Sequence, residues 1–353
     1  MPPAAVTPLP EPTRSCPAVD PGAGVVRWFF PVVPADNRAL ERWCRTLGPV
    51  VIDSIPRFDF GELGLGDSLV IAVWNVNAGA GDLLAFLREE LRLDCGGGAP
   101  AFAAGAPHFV LLLQEALRRS SDVPDGPRFG VVAPAVPEER RPGPRLGVVE
   151  VARRCGLSLF YGPQARNGFE TRDGLREDRG PAVLSTLPLS DFVMVELPLE
   201  SSRRVVPIAT VGDGRGHGLR VASVHLITTP PPWRVLATGN TARLRQAMGL
   251  VDALDRLAAS RDPRPTSTLI AGDLNTWSTR EAALRFLRGR FSDSPPALTE
   301  PTRGPYPTDH VLFRRTTASG AVGDRIVPGT YRRVGQRYHS DHHPVAAYFT
   351  FGR

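Results

Sequence analysis

The sequence contains no lysine; all 42 basic side chains are arginine. That absence weakens the formal net charge of +6 as a sign of a nucleic-acid partner. A chain rich in Ala, Gly and Pro that uses arginine throughout carries a general compositional bias, and under such a bias arginine fills ordinary solvated faces. No stretch approaches the roughly 20 continuous apolar residues of a bilayer span, so no integral membrane segment is expected. Met1-Pro2-Pro3-Ala4 lacks the basic-then-apolar pattern of a secretory leader. A cytoplasmic protein, or a secreted one with its leader removed, is expected. Cysteine is scarce: Cys16, Cys44, Cys95 and Cys155 form no CxxC pair and have no nearby histidine. That argues against zinc and leaves two disulfides or free thiols as alternatives.

What is present is enough for a large core: 353 residues, 42% of them hydrophobic. Residues 1 to about 25 are rich in Pro and Ala without apolar periodicity, and read as an extended tail. Asn37 to Leu47 has the spacing of one short amphipathic helix. From Ser68 the texture changes. Leu69 to Asn75 and His108 to Gln114 are continuous β-prone runs, as in strands buried on both faces. Between them Asp82 caps an amphipathic helix that breaks at Cys95-Gly96-Gly97-Gly98.

Further strands are expected at Gly180 to Leu187, Val205 to Thr210, Leu219 to Ile227, Ser267 to Ala271, His310 to Phe313 and Pro344 to Phe349. Helices are expected at Asn240 to Ala258 and Thr279 to Arg288. Strands outnumber helices, which predicts two packed sheets flanked by helices rather than a doubly wound parallel sheet. Residues 1–67 form an N-terminal extension and 68–353 one catalytic domain on this reading.

Six apolar strands start or stop at a carboxylate, carboxamide or imidazole: Asn75, Gln114-Glu115, His225, Asp273 with Asn275, Asp309, and Asp341-His342. Singly, each has a bland explanation. An Asp or Asn after a strand is usually a turn former or cap, and a lone histidine is usually a satisfied core residue. Glu115 is harder to dismiss, because a carboxylate at the end of so apolar a strand is costly unless paired or metal-bound.

Together the residue types suit one chemistry. Hard oxygen ligands Glu115, Asp341 and Asn75 favour Mg2+ or Mn2+, ions that offset charge on a phosphoryl group. His342 is placed to take a proton from water, with Asp309 to orient its ring. His225 and Asn275 are donors for phosphoryl oxygens.

The ordered segments WNVN, LLLQEA, AVLSTLPL, VASVHL, AGDLN, TDHVLF and SDHHP resemble the endonuclease/exonuclease/phosphatase superfamily from about residue 69 to the C-terminus. The resemblance implies a four-layer α/β sandwich of two mainly antiparallel sheets flanked by helices. It implies a metal-dependent phosphodiesterase in which Glu115, Asp341 and Asn75 serve the metal. His342 is then the general base, Asp309 its orienting acid and Asp273 the acid that positions nucleophile or leaving group. His225 and Asn275 contact the phosphate. Gly180-Pro181-Ala182 departs from the Gly-Asn-Ala of many relatives, although deoxyribonuclease I also has Pro-Ala-Val there.

A nuclease acting on DNA, monomeric, is the leading expectation, supported by the basic charge and the Arg203-Arg204 pair. A phospholipid or inositol-phosphate hydrolase is the alternative, with Thr228 to Trp233 as its membrane-facing loop. A catalytically silent binding module predicts missing ligands, yet every matched acid and both histidines are present. Arg166-Asn167-Gly168 and Glu177-Asp178-Arg179 are either substrate contacts or a surface salt-bridge cluster.

Overall fold

Leu69 to Trp74 is apolar at every position because its strand is covered on both faces: Leu69, Ile71 and Val73 pack into one core, Val70, Ala72 and Trp74 into another. The computed structural model describes residues 6–8, 26–31, 43–61, 67–124, 131–132, 146–167, 175–212, 218–228, 241–259, 267–315 and 326–351. In chain order the elements are β1 (Val6–Pro8), β2 (Arg27–Pro31), β3 (Val51–Asp53), β4 (Ser68–Asn75), α1 (Leu83–Glu90), β5 (Leu93–Asp94), β6 (Ala101–Phe102), β7 (His108–Ser120) and β8 (Val131–Val132). Then come α2 (Val148–Cys155), β9 (Ser158–Tyr161), β10 (Ala165–Asn167), β11 (Arg176–Ser185), β12 (Leu189–Glu196), β13 (Val205–Gly212) and β14 (Gly218–His225). The last are α3 (Thr241–Ala259), β15 (Ser267–Asp273), α4 (Ala282–Arg290), β16 (Asp309–Arg314), β17 (Ile326–Arg333) and β18 (Val345–Phe351).

One sheet runs β1-β2-β12-β13-β14-β15-β16 and the other β17-β18-β4-β7-β11-β10-β8, with β9 also on β11 and β3 on β9. Most pairings are antiparallel; β4 with β7, β14 with β15, β2 with β12 and β8 with β10 are parallel. A core shared by the two sheets (Val73, Val110, Met194, Val221, Leu269, Phe313) forms the middle of the sandwich. Leu83, Phe86 and Leu87 of α1 and Val148 and Val151 of α2 cover one outer face. Leu250 and Leu254 of α3 and Leu284 and Leu287 of α4 cover the other. This is the expected four-layer α/β sandwich. Asp82 caps α1 by accepting from the Ala85 amide at 3.0 Å, a contact worth about 1 kcal/mol. No helix among the described residues is long and apolar enough to cross a membrane.

Several expectations needed correction. Val6–Pro8, placed in a loose tail, instead pairs antiparallel with β2, which joins β12 in parallel. Of the helix expected at 37–47, residues 43 and 44 are helical, and 37–42 lie outside the described residues. The helix expected from Thr279 begins at Ala282, with Glu281 at its N-cap. Strands β12 and β17 break their own alternation, β12 at a register shift around Asp191 (φ 51°) and β17 at Pro328 on a sheet edge. Cys95 and Cys155 form a disulfide across 60 residues, worth about 4 kcal/mol as a restraint on the unfolded chain. Cys44 is disulfide-bonded as well.

Candidate active site

Strand register assembles the site before any side chain is considered. His225 ends β14 opposite Asp273 of β15, and Asp273 lies opposite Asp309 of β16, so three neighbouring strands deliver three polar groups to one edge. On the facing sheet Asn75 lies opposite Gln114. The sheets are joined there: Asn75 Nδ2 donates to Asp273 Oδ2 at 3.0 Å. Gly272 allows the close strand approach, since a Cβ on it would sit 1.8 Å from the Val224 carbonyl oxygen.

His342 is fully buried between two acids. Its Nδ1 donates to Asp309 Oδ2 at 2.9 Å, and its Nε2 stands 3.6 Å from Asp273 Oδ2 and 4.0 Å from Asp341 Oδ1 without a hydrogen-bond partner among the described residues. Thr308 Oγ1 also donates to Asp309 Oδ2 at 2.9 Å and fixes its rotamer. Burial alone would lower the imidazole pKa, but Asp309, Asp273 and Asp341 raise it to about 9. Burial would raise Asp309, but His342 and the hydrogen bonds hold it below the usual carboxylate range. Asp273 is pushed up to about 6 by burial, with Asp309 adding to the shift and His342 opposing it. His225 is driven well below its ordinary value by burial, then by Arg204 and Arg179, so it is neutral. Its Nδ1 has no partner among the described residues.

Glu115 has φ 55° at a register shift between β7 and β11. The bulge turns its carboxylate out of the alternation of β7. Gly180 and Pro181 face that bulge: a Cβ on Gly180 would sit 1.9 Å from the Gly162 carbonyl, and Pro181 lacks the amide a regular ladder would need. Arg179 Nη1 and the Ala78 amide donate to Glu115 Oε2 at 2.8 and 3.1 Å. No donor among the described residues reaches its other oxygen. Asp341 has the same pattern: Oδ2 pairs with Arg303 at 2.9 Å, and Oδ1 faces His342. Each carboxylate thus keeps one oxygen for a hard cation, which fits a divalent metal. A second candidate seat exists, because ligand atoms of Asp273, Asp309 and His342 lie within 4.8 Å of one another. Those atoms are drawn together by hydrogen bonds in which His342 and Asp309 already occupy each other.

Asn275 (φ 52°) commits one N–H to the Leu226 carbonyl at 2.9 Å, and its backbone amide donates to Asp273 Oδ1 at 2.8 Å. The site residues expected from the sequence therefore fall into two hydrogen-bonded groups, Asn75–Asp273–Asn275 and Asp309–His342, which meet where His342 Nε2 stands 3.6 Å from Asp273 Oδ2, with His225 beside them. Glu115 and Asp341 are held by arginines. The surface-cluster reading of Glu177-Asp178-Arg179 fails, because Asp178 is buried against Arg118 and Tyr161. Arg166 and Asn167 are buried too; Gly168 lies outside the described residues, as do 229–233 of the expected membrane-facing loop. Arg303, Thr308 and Ser340 escaped the sequence reading. Ser340 Oγ donates to the Asn75 carbonyl at 2.6 Å and accepts from the His342 amide at 3.1 Å. Its place directly before Asp341-His342 was the available signal.

The sequence profile of the Endonuclease/Exonuclease/phosphatase family matches residues 72–342, the span that carries every one of these groups. The chain belongs to that family. Members of the Endonuclease/Exonuclease/phosphatase family are metal-dependent hydrolases of phosphate esters, and this chain is one. Two solved structures agree in fold. The human Nocturnin catalytic domain, with bound sulfate anion, is 14% identical over 84% of this chain and 99% of its own, with a TM-score of 0.51. A functionally unknown conserved protein of Enterococcus faecalis V583 is 14% identical over 80% of this chain and 99% of its own, TM-score 0.50. Sphingomyelinase C from Streptomyces griseocarneus is 19% identical over 80% of this chain and 99% of its own, TM-score 0.42. No curated protein matches the sequence.

Proposed function

We propose that the chain is a Mg2+- or Mn2+-dependent phosphodiesterase that cleaves DNA through a water activated by His342. The observation that carries this reading is the His342 ring, tied at Nδ1 to Asp309 while Nε2, beside Asp273, has no hydrogen-bond partner among the described residues. A buried imidazole held in one tautomer by a carboxylate is built to accept a proton at the other nitrogen, and with a pKa of about 9 its neutral, proton-accepting form grows as pH rises toward that value. Water attacks phosphorus in line, its proton passes to His342 Nε2, and the bond to the leaving oxygen breaks. Asp309 stabilises the imidazolium formed. Neutral His225 and the free N–H of Asn275 donate to phosphoryl oxygens. Asp273, held by Asn75 and Asn275, orients the attacking water. Glu115 and Asp341 would hold the cation, which when bound supplies charge for the phosphoryl oxygens.

The nucleic-acid substrate is supported by the guanidinium groups around the cleft: Arg179 on Glu115, Arg303 on Asp341, and Arg204 within the field of both Glu115 and Asp273. Such an arrangement suits a polyanion better than an isolated ester. The test is relaxation of supercoiled plasmid with Mg2+ or Mn2+, with and without EDTA, alongside sphingomyelin and inositol phosphates. Nicking that stops with EDTA is expected. Intact plasmid at high enzyme concentration, with phosphocholine released from sphingomyelin, would overturn the substrate assignment.

A further inference from the structure

Arg203 and Arg204 are consecutive, buried and chemically identical, yet their surroundings differ completely. Arg203 Nε and Nη2 donate to the two oxygens of Glu196 at 2.8 and 2.7 Å, and Nη1 donates to the Pro163 carbonyl at 2.7 Å. Each of its three nitrogens therefore has a partner. Arg204 is only 9% exposed, but its side chain has no ion pair or hydrogen bond among the described residues, and its Nε is walled off without a partner. It precedes β13 and lies in the electrostatic field of Glu115 and Asp273, with Arg179 close enough to repel it. Burial pulls its pKa down, but only to about 10, so it stays charged at neutral pH.

A buried charge without a counter-ion costs stability, and a natural chain retains one where something else supplies the partner. The neighbours identify that something. Glu115 and Asp273 bracket the place of the scissile group, and a planar fork matches two oxygens of one phosphoryl group. The nearby carboxylates do not neutralise Arg204 by contact: Glu115 is bound to Arg179, and Asp273 to Asn75 and Asn275.

We infer that Arg204 is a substrate-binding residue whose guanidinium takes the non-bridging oxygens of the phosphoryl group and provides its anion site when no metal is present. This rests on the phosphodiesterase reading but not on the choice of DNA over lipid, since the phosphodiester monoanion is common to both.

The experiment is titration of metal-free enzyme, in EDTA, with inorganic phosphate and with bis-p-nitrophenyl phosphate, followed by calorimetry and by thermal shift. Arg204→Met and Arg204→Gln should weaken binding by about 10- to 100-fold, the loss expected for charge-assisted hydrogen bonds. Their melting temperature without ligand should be equal to or above that of wild type, because each removes an unpaired buried charge. A purely structural arginine would do the reverse, with a lower melting temperature and unchanged affinity. Unchanged affinity in either folded variant, or loss of the fold in both, overturns the assignment. Plasmid and sphingomyelin assays run in parallel separate the two sources of phosphodiester. If neither is cleaved while Arg204→Met still loses phosphate binding, the function is wrong but the anion site stands.

Discussion

Two buried polar regions of this molecule follow opposite rules. Behind the cleft, charges are matched one to one: Arg203 with Glu196, and Arg118 with Asp178, which also accepts from Tyr161 and from the Gly48 amide. At the cleft, Arg204 Nε, His225 Nδ1, Asp309 Oδ1 and His342 Nε2 are all buried and all lack a partner among the described residues. An unmatched buried polar atom costs about 1–3 kcal/mol, so several together in one place are a standing cost to the fold. Some orphan atoms also occur elsewhere, Gln164 Oε1 and Thr210 Oγ1 among them. Those two are neutral oxygens, whereas the four at the cleft all belong to ionisable groups. Incomplete ionisable groups gathered at the ends of neighbouring strands are where a substrate would complete the network.

Three perturbations sharpen that contrast. The largest effect belongs to the open region. His342→Ala should lower turnover of bis-p-nitrophenyl phosphate by about 10²- to 10⁴-fold, the contribution of a positioned general base, while circular dichroism stays native. Wild-type turnover in this variant would remove His342 from the mechanism. The matched region should respond in stability instead of rate. Arg203→Met leaves the fully buried Glu196 carboxylate unpaired and should cost about 3–5 kcal/mol in urea unfolding, with activity per folded molecule nearly kept.

The third and smallest effect is a pH dependence of stability. His342 has a folded pKa of about 9, above the ~6.5 of an unfolded chain. The native state therefore holds the extra proton between those values. Its contribution is full below about pH 6.5 and is lost as pH rises through 9. Metal-free enzyme should lose up to about 3 kcal/mol between roughly pH 6.5 and pH 10 from this group, read by urea unfolding across that range. His342→Gln should flatten the curve. Asp273, with a pKa of about 6, completes most of its change by about pH 7, at the low edge of that window.

The layers were legible in the sequence because full burial on both faces imposes unbroken apolar runs: Leu69–Trp74 of β4 and Phe109–Leu113 of β7 are buried throughout. The polar residues at their ends were legible for the same reason, each ending a run of apolar neighbours. What escaped was set by distant contacts. Glu115 owes its direction to a bulge at the register shift against Gly180 and Ala182, on a strand far along the chain. Arg303 owes its role to Asp341, and nothing local separates Arg204 from Arg203. The short strand β1 and edge strand β17 carry Pro, so propensity spoke against them while pairing across the sheet prevailed.

The division of the cleft into a cation seat at Glu115 and Asp341 and a proton-transfer group at Asp273, Asp309 and His342 is tested most directly by calorimetric titration of Mn2+. Glu115→Gln should weaken Mn2+ binding at least about tenfold, as loss of a ligand oxygen requires, while Asp309→Asn binds it nearly as wild type does. The reverse result, with binding lost in Asp309→Asn and kept in Glu115→Gln, would place the cation on His342 and contradict the division.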